Sequence, residues 1–358
     1  MSIHFHPLKV KELRKETPEC VTIVFEVPEQ LVTDFKFIQG QNLTIKKTIN
    51  GQELRRTYSL CTSPLDNEWR VAVKQIEGGL FSQYANNELQ VGDVLEVLSP
   101  AGKFYTELSN SQKKKYLAIC AGSGITPILS IIKTTLQVEP ESHFTLVYGN
   151  RTRNSIMFFD ELEALKNKYI NRLSIIHVLS RETVDTPIHN GRIDTEKMEA
   201  LNRLVNYAGM DEIFLCGPEG LTFGAKSYLE GQGIDHHKIH LELFTTPVSN
   251  KSGEDKKVVA APVNSNASLV TIKLDGRSFD FELPYDETIL DAALDKGLDL
   301  PYGCRGGVCC SCKALVREGE VNMDENWGLE DDDVEKGFVL TCQSYPTTPR
   351  VVVDFDVK

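Results

Sequence analysis

A chain of 358 residues exceeds what one hydrophobic core usually supports, so two or three domains are expected, each with its own core. The formal net charge of −12 argues against nucleic acid as a partner, because phosphate binding needs a basic surface. No apolar run is long enough to span a bilayer and the opening MSIHFHPLKVKELRKETPEC lacks the marks of a secretory signal, so the expected setting is the cytoplasm with no membrane partner, where clustered thiols serve metals or chemistry.

In chain order, the first module is expected over 1–110. Its short alternating or β-branched runs, CVTIVFEVP, NLTIKKTI, RVAVKQIE and DVLEVLSP, are separated by Gly, Pro and Asn turns and predict an antiparallel β-barrel. RRTYSL (55–60) is a further strand of this module.

Over 111–246 the rhythm changes to strand then helix. KYLAICAGSG leads into ITPILSIIKTTLQ, HFTLVYGN into IMFFDELEALKNKY, and DEIFLCGP into EGLTFGAKSYLEGQG, with LSIIHVLS as another strand. Apolar strands ending in glycine and feeding amphipathic helices predict an α/β domain with a parallel sheet. In AGSGITP (121–127), Gly122 and Gly124 let the backbone approach a pyrophosphate, and Thr126 and Pro127 open the helix whose N-terminal N–H groups favour an anion. The spacing ends in Pro127 where a dinucleotide fingerprint has glycine, so an unliganded strand-to-helix turn is the alternative. Cys216, Gly217 and Pro218 form a second glycine-containing strand end. Ser180 and Arg181, at the end of LSRE, are candidates to hold a ribose 2′-phosphate, which favours NADPH over NADH. Arg192 is a helper; Arg151 and Arg153 are weaker candidates, and an exposed surface arginine is the alternative.

The stretch over 245–268 has neither helical nor strand periodicity, and a flexible linker is expected at 247–266. The last module, 267–358, holds 19 Asp and Glu against 9 Lys and Arg, which fits either a docking face for a basic partner or a solvated acidic surface. Its strands LVTIKLDG, RSFDFELP, CKALVREGE and RVVVDFDV with the helix DETILDAALDKG predict a small α+β domain.

Between them lies YGCRGGVCCSCKALV. Cys304, Cys309 and Cys312 have the spacing C-x4-C-x2-C, and Cys342 follows in FVLTCQS, the plant-type pattern for a [2Fe-2S] cluster. Zinc is the alternative, although structural zinc sites usually show paired C-x2-C motifs. Cys310 does not fit the ligand pattern, and Cys20, Cys61 and Cys120 lie in apolar strand contexts as packing residues.

Arg56, Tyr58 and Ser59 match the R-x-Y-S signature, and the chain on these motifs resembles the ferredoxin–NADP reductase superfamily. The resemblance implies FAD rather than FMN, with Tyr58 packed on the isoalloxazine, Ser59 near the flavin N5 and Arg56 paired with the flavin phosphate. It also implies that GGLFS (78–82), with Gly79 and Ser82, is the flavin phosphate turn, and that Lys74 binds the flavin. Cys216 lies on the nicotinamide side, and Glu242 and Phe244 of HLELF approach the flavin. The last module is implied to be a β-grasp ferredoxin domain. The order of modules is similar to single-chain reductases of bacterial oxygenases, and the cysteine-bearing end resembles the reductase subunits of di-iron phenylacetyl-CoA epoxidases. Implied partners are therefore the epoxidase subunits of a multicomponent complex. The alternatives are a reductase for a Rieske ring hydroxylase, a steroid hydroxylase or the hybrid cluster protein, or a non-catalytic redox-sensing module.

Overall fold

The computed structural model describes residues 4–244 and 267–357, and the linker expected at 247–266 lies outside them. Two compact units result, the larger formed by His6–Leu54 and Tyr58–Phe244 and the smaller by the described residues 4–5, 55–57 and 267–357. Among the described residues no helix is long and apolar enough to cross a membrane.

β1 (His6–Thr17), β2 (Cys20–Glu26), β3 (Asn42–Ile49), β4 (Gln52–Ser59), β5 (Trp69–Lys74) and β6 (Val94–Val97) form one sheet in the order β4-β3-β6-β1-β2-β5. A bridge from Leu60, just past β4, to Val71 of β5 joins the two edges and closes the barrel. The interior is filled by Leu8, Ile23, Leu43, Ile45 and Val73, all fully buried. The short helix α1 (Leu80–Asn87) caps it through Phe81 and Ala85. Strand β1 has no counterpart among the expected runs: in HPLKVKELRKET only Leu8, Val10 and Thr17 are buried, and bulges at Val10/Glu12 and Lys15/Thr17 break the alternation that betrays a strand.

The nucleotide half is a parallel sheet of β7 (Lys115–Ala121), β8 (His143–Asn150), β9 (Leu173–Leu179), β10 (Glu212–Gly217) and β11 (Ile239–Leu243), ordered β11-β10-β7-β8-β9. Leu117, Ala118 and Ile119 of β7 and Ile213, Phe214 and Leu215 of β10 are wholly buried, as strands covered on both faces must be. Helices α2 (Ile125–Val138), α3 (Phe159–Lys168), α4 (Thr195–Asn202) and α5 (Glu219–Gly231) provide the cover. The expected helix from Ile156 begins later, at Phe159, because Phe158 takes a left-handed conformation. Helix α4, with only Met198 and Leu201 buried, has too narrow an apolar stripe to be read from sequence. The chain runs outward through β8 and β9 and then returns to the other side of β7, so the strand order reverses between β7 and β10. At such a switch point the connections leave in opposite directions and open a crevice.

The smaller unit contains β12 (Ala267–Leu274), β13 (Arg277–Pro284), β14 (Lys313–Glu318), β16 (Phe338–Leu340) and β18 (Arg350–Asp354) in the order β13-β12-β18-β14-β16, with β15 (Val321–Met323) paired to β17 (Ser344–Pro346). The central pair β12 and β18 is parallel and its neighbours antiparallel, the β-grasp arrangement. Helix α6 (Ile289–Asp295) starts where the Thr288 side chain accepts a hydrogen bond from the Asp291 amide, and it buries Ile289, Leu290 and Ala293 against the sheet. The acidic EDDDVE contains a short helix, α7 (Asp331–Glu335). Asp333 within it is buried and paired to Lys313 at 2.8 Å, so this run is not uniformly a solvated surface.

Candidate functional site

The crevice at the switch point brings together residues from three distant stretches. Ser59, the last residue of β4, is buried, and its hydroxyl donates to Glu242 Oε2 at 3.2 Å. Parallel pairing sets Cys216 of β10 opposite Glu242 of β11, which places both side chains on one sheet face, with Cys216 Sγ 4.0 Å from the same carboxylate oxygen. Burial, and then the Glu242 carboxylate, push the Cys216 thiol well above its ordinary range, so it is a neutral thiol at physiological pH. A hydroxyl, a thiol and a carboxylate thus converge. Beside them Tyr58 is half-buried with its ring 5.6 Å from that of Phe81, the planes tilted by 32°. Phe81 lies within GGLFS, where the glycines and the serine carry the motif and nothing local marks the aromatic ring.

The two halves of this unit are held in register by polar contacts. Ser130 donates to the Thr62 carbonyl at 2.6 Å, Arg70 pairs with Glu161 at 2.8 Å, and Lys133 bridges Glu161 at 3.0 Å and Asp66 at 2.6 Å. Arg70 is buried and also faces Glu68 at 3.3 Å, so removing both carboxylates would leave an uncompensated charge.

At the end of β7, Gly122 has φ +55°, and Gly122–Gly124 make one tight turn into α2. A Cβ at Gly122 would meet nothing within 4 Å, whereas one at Gly124 would strike the Cys216 carbonyl and come within 2.9 Å of the Gly217 amide nitrogen. The first glycine leaves space and the second permits close packing of the turn on β10. Thr126 and Pro127 are buried in the first turn of α2, and the Thr126 hydroxyl donates back to the Ser123 carbonyl at 3.0 Å, so Thr126 shapes the turn with its side chain. Gly217 lies at the neighbouring strand end, and Pro218 is the N-cap of α5. Phe244 follows β11, its amide directed at the Gly217 carbonyl at 3.4 Å.

Ser180 and Arg181 follow β9 and are exposed, the Ser180 hydroxyl donating to the Asn150 carbonyl at 3.3 Å. Gly191 donates to the Leu179 carbonyl at 2.8 Å, which brings exposed Arg192 to the same strand end. Neither guanidinium has an ion-pair partner among the described residues. On the barrel side, half-buried Arg56 donates to the Arg55 carbonyl at 2.7 Å, and half-buried Lys74 ends β5. Gly79 is the N-cap of α1 and offers no side-chain cap, which leaves first-turn amides of α1 unpaired within the helix. The Ser82 hydroxyl is consumed locally, accepting from the Ile76 amide at 3.1 Å and donating to the Gly79 carbonyl at 3.0 Å, so it braces this turn.

In the smaller unit the four cysteines form two pairs. The Gly306 and Cys309 amides both donate to Cys304 Sγ at 3.3 Å, and the Cys304 amide donates to Cys309 Sγ at 3.4 Å. Cys312 and Cys342 share a second thiol contact, with the Gly307 amide directed at Cys342. The thiol contact within each pair favours a thiolate on one sulfur, the hydrogen bonds from Cys304 and Cys312 lowering Cys309 and Cys342 below the ordinary thiol range. One zinc ion would draw four sulfurs to about 3.8 Å from one another, from a tetrahedron with 2.3 Å bonds. Among the described residues no three of these sulfurs lie within 4.8 Å of each other. Two separated pairs with amides aimed at sulfur suit two irons, two thiolates to each, better than one zinc. Cys310, between Cys309 and Cys312, donates to the Gly328 carbonyl at 2.6 Å and anchors the loop.

Family profiles match all three parts: an oxidoreductase FAD-binding domain over residues 7–105, an oxidoreductase NAD-binding domain over 118–226 and a 2Fe-2S iron-sulfur cluster binding domain over 272–347. Over 356 residues the chain is 47% identical to the E subunit of the 1,2-phenylacetyl-CoA epoxidase of Escherichia coli (strain K12), covering 99% of this chain and 98% of the relative. It is 33% identical over 351 residues to the ferredoxin reductase component of 3-ketosteroid-9-alpha-monooxygenase from Rhodococcus rhodochrous, covering 97% and 96%. The solved phthalate dioxygenase reductase has the same fold, with a TM-score of 0.59, 24% identity and 98% of each chain covered. With barrel, nucleotide crevice and paired cysteines in the order of these relatives, the chain belongs to the family of flavin- and [2Fe-2S]-dependent oxygenase reductases within the ferredoxin–NADP reductase superfamily.

Proposed function

We propose that this reductase draws electrons from NADPH and delivers them, through FAD and a [2Fe-2S] cluster, to a cytoplasmic di-iron epoxidase acting on phenylacetyl-CoA. The carrying observation is the 47% identity to an epoxidase reductase subunit over essentially the whole chain, against 33% to a steroid monooxygenase reductase of the same organisation. When bound, the nicotinamide supplies an electron pair, the flavin splits it, and the cluster passes single electrons onward.

The chain's own residues serve binding and orientation. Tyr58 and Phe81 offer an aromatic surface to a planar ring, while Arg56 and the α1 amides suit its phosphates. Ser59 and Cys216 both direct a proton at Glu242, which keeps that carboxylate turned into the crevice. Gly122 and Gly124 make the pyrophosphate turn, and Cys304, Cys309, Cys312 and Cys342 are the cluster ligands. A direct test is reconstitution with purified epoxidase subunits: NADPH-dependent epoxidation of phenylacetyl-CoA is the expected result, and turnover only with a different oxygenase would overturn the assignment.

The preference for NADPH rests on Ser180, Arg181 and Arg192 at one exposed strand end, a hydroxyl and two guanidiniums that have no ion-pair partner among the described residues, suited to a 2′-phosphate. Arg181→Ala is expected to lower kcat/KM for NADPH by roughly 10-fold or more while sparing NADH, as loss of one charge-assisted contact does. An equal fall with both nucleotides, in a ferricyanide reduction assay, would remove the 2′-phosphate role.

A further inference from the structure

Tyr148 lies near the end of β8 and is fully buried, yet its hydroxyl reaches the nucleotide turn: it donates to the Gly122 carbonyl at 3.0 Å. Burial pushes the phenol well above the ordinary tyrosine range, so it remains a donor at physiological pH. In-register pairing with Cys120 of β7 sets Tyr148 on the sheet face that α2 covers, directly beneath the turn.

The peptide that Tyr148 holds is the one that matters for an anion. A trans peptide is planar, so its C=O and the next residue's N–H point in opposite directions. Holding the Gly122 carbonyl inward therefore turns the Ser123 N–H outward, at the first turn of the segment leading into α2, where amides have no intrahelical acceptor. Gly122, at φ +55° with open space around its Cα, has alternative backbone orientations at little steric cost, so the Tyr148 hydroxyl, together with the Ile125 amide that also donates to the Gly122 carbonyl, fixes the direction of this peptide.

We propose that Tyr148 is a positioning residue for the dinucleotide pyrophosphate, its buried hydroxyl fixing the Gly122–Ser123 peptide so that the Ser123 N–H faces the bound phosphate. The proposal rests on the nucleotide-binding role of this turn and adds a residue that touches no nucleotide itself.

Tyr148→Phe keeps the ring and removes only the hydroxyl. In the oxidised holoenzyme, calorimetry is expected to show ADP-ribose binding weakened by roughly 10-fold, with KM for the reduced nucleotide rising in parallel and kcat nearly unchanged. Tyr116→Phe is the control: Tyr116 is also a fully buried tyrosine of this sheet, bonded to Glu139 at 2.9 Å, and its loss is expected to lower Tm without touching ADP-ribose affinity. Unchanged ADP-ribose affinity in Tyr148→Phe, or an equal loss in Tyr116→Phe, would overturn the proposal.

A second measurement needs no variant. Gly122–Ser123 is the single Gly-Ser dipeptide in the sequence, so carbonyl-13C glycine with 15N serine labelling isolates the Ser123 amide in NMR. A downfield shift on adding ADP-ribose is expected. No shift while calorimetry records binding would overturn the role of Tyr148 and leave the nucleotide site standing; no binding of ADP-ribose to the wild type would overturn both.

Discussion

Gly124→Ala is expected to cripple nucleotide oxidation and lower Tm together. The added Cβ would strike the Cys216 carbonyl and come within 2.6 Å of its carbon and 2.9 Å of the Gly217 nitrogen, all backbone atoms. That backbone has little freedom to retreat, because Cys216 is in register with Cys120 on one side and Glu242 on the other. Overpacking against a fixed strand costs about 1–3 kcal/mol, and the strand that must shift carries the Cys216 thiol. We expect kcat/KM for NADPH-driven ferricyanide reduction to fall by roughly 100-fold, since small misplacements at a reacting centre are that costly. Gly122→Ala separates the causes: no atom obstructs its Cβ, but its φ of +55° is unfavourable to alanine, so a loss of about 1 kcal/mol and a higher KM are expected. Wild-type turnover in Gly124→Ala would show that the crevice does not depend on close packing of the turn against β10.

Cys342→Ala is expected to uncouple the two halves of the electron route. Alanine supplies no ligand atom, and Cys312 loses the thiol with which it is paired. Iron and acid-labile sulfide are expected to fall to roughly a tenth or less, as a cluster held by four thiolates does not tolerate an absent one. Flavin content and ferricyanide reduction are expected to persist within about twofold, because Ser59, Cys216 and Glu242 all belong to the other compact unit, and sites with no shared partners behave additively. Oxygenase-coupled turnover should be lost. Cys310→Ser is the companion: its hydroxyl can still donate to the Gly328 carbonyl, and the cluster should remain. Loss of ferricyanide reduction in Cys342→Ala would show that the units are not independent, and loss of the cluster in Cys310→Ser would place Cys310 among the ligands.

The motifs that read most clearly from sequence are those whose chemistry constrains neighbours in the chain. C-x4-C-x2-C and the glycines of AGSGITP act within a few residues, where loop geometry follows from spacing. The barrel and the parallel sheet are visible because alternation and apolar runs report burial locally. Strand β1 is not, since bulges interrupt its alternation, nor is α4, which buries two side chains. Hydroxyl roles are the hardest to read. Ser82 and Thr126, expected at cofactors, spend their hydroxyls on their own turns, whereas Tyr148 inside HFTLVYGN restrains a glycine 26 residues away.

By itself the sequence determined the three-part order, the parallel-sheet and antiparallel-barrel classes, the four-cysteine pattern and the glycine turn, because each depends on residue type at short range. Only the tertiary structure decided which groups meet: that Ser59 reaches Glu242 across 183 residues, that Cys304 pairs with Cys309 and Cys312 with Cys342, and that Tyr148 lies beneath Gly122. Those encounters follow from strand order and register, which long-range pairing and core packing set and which no local pattern encodes.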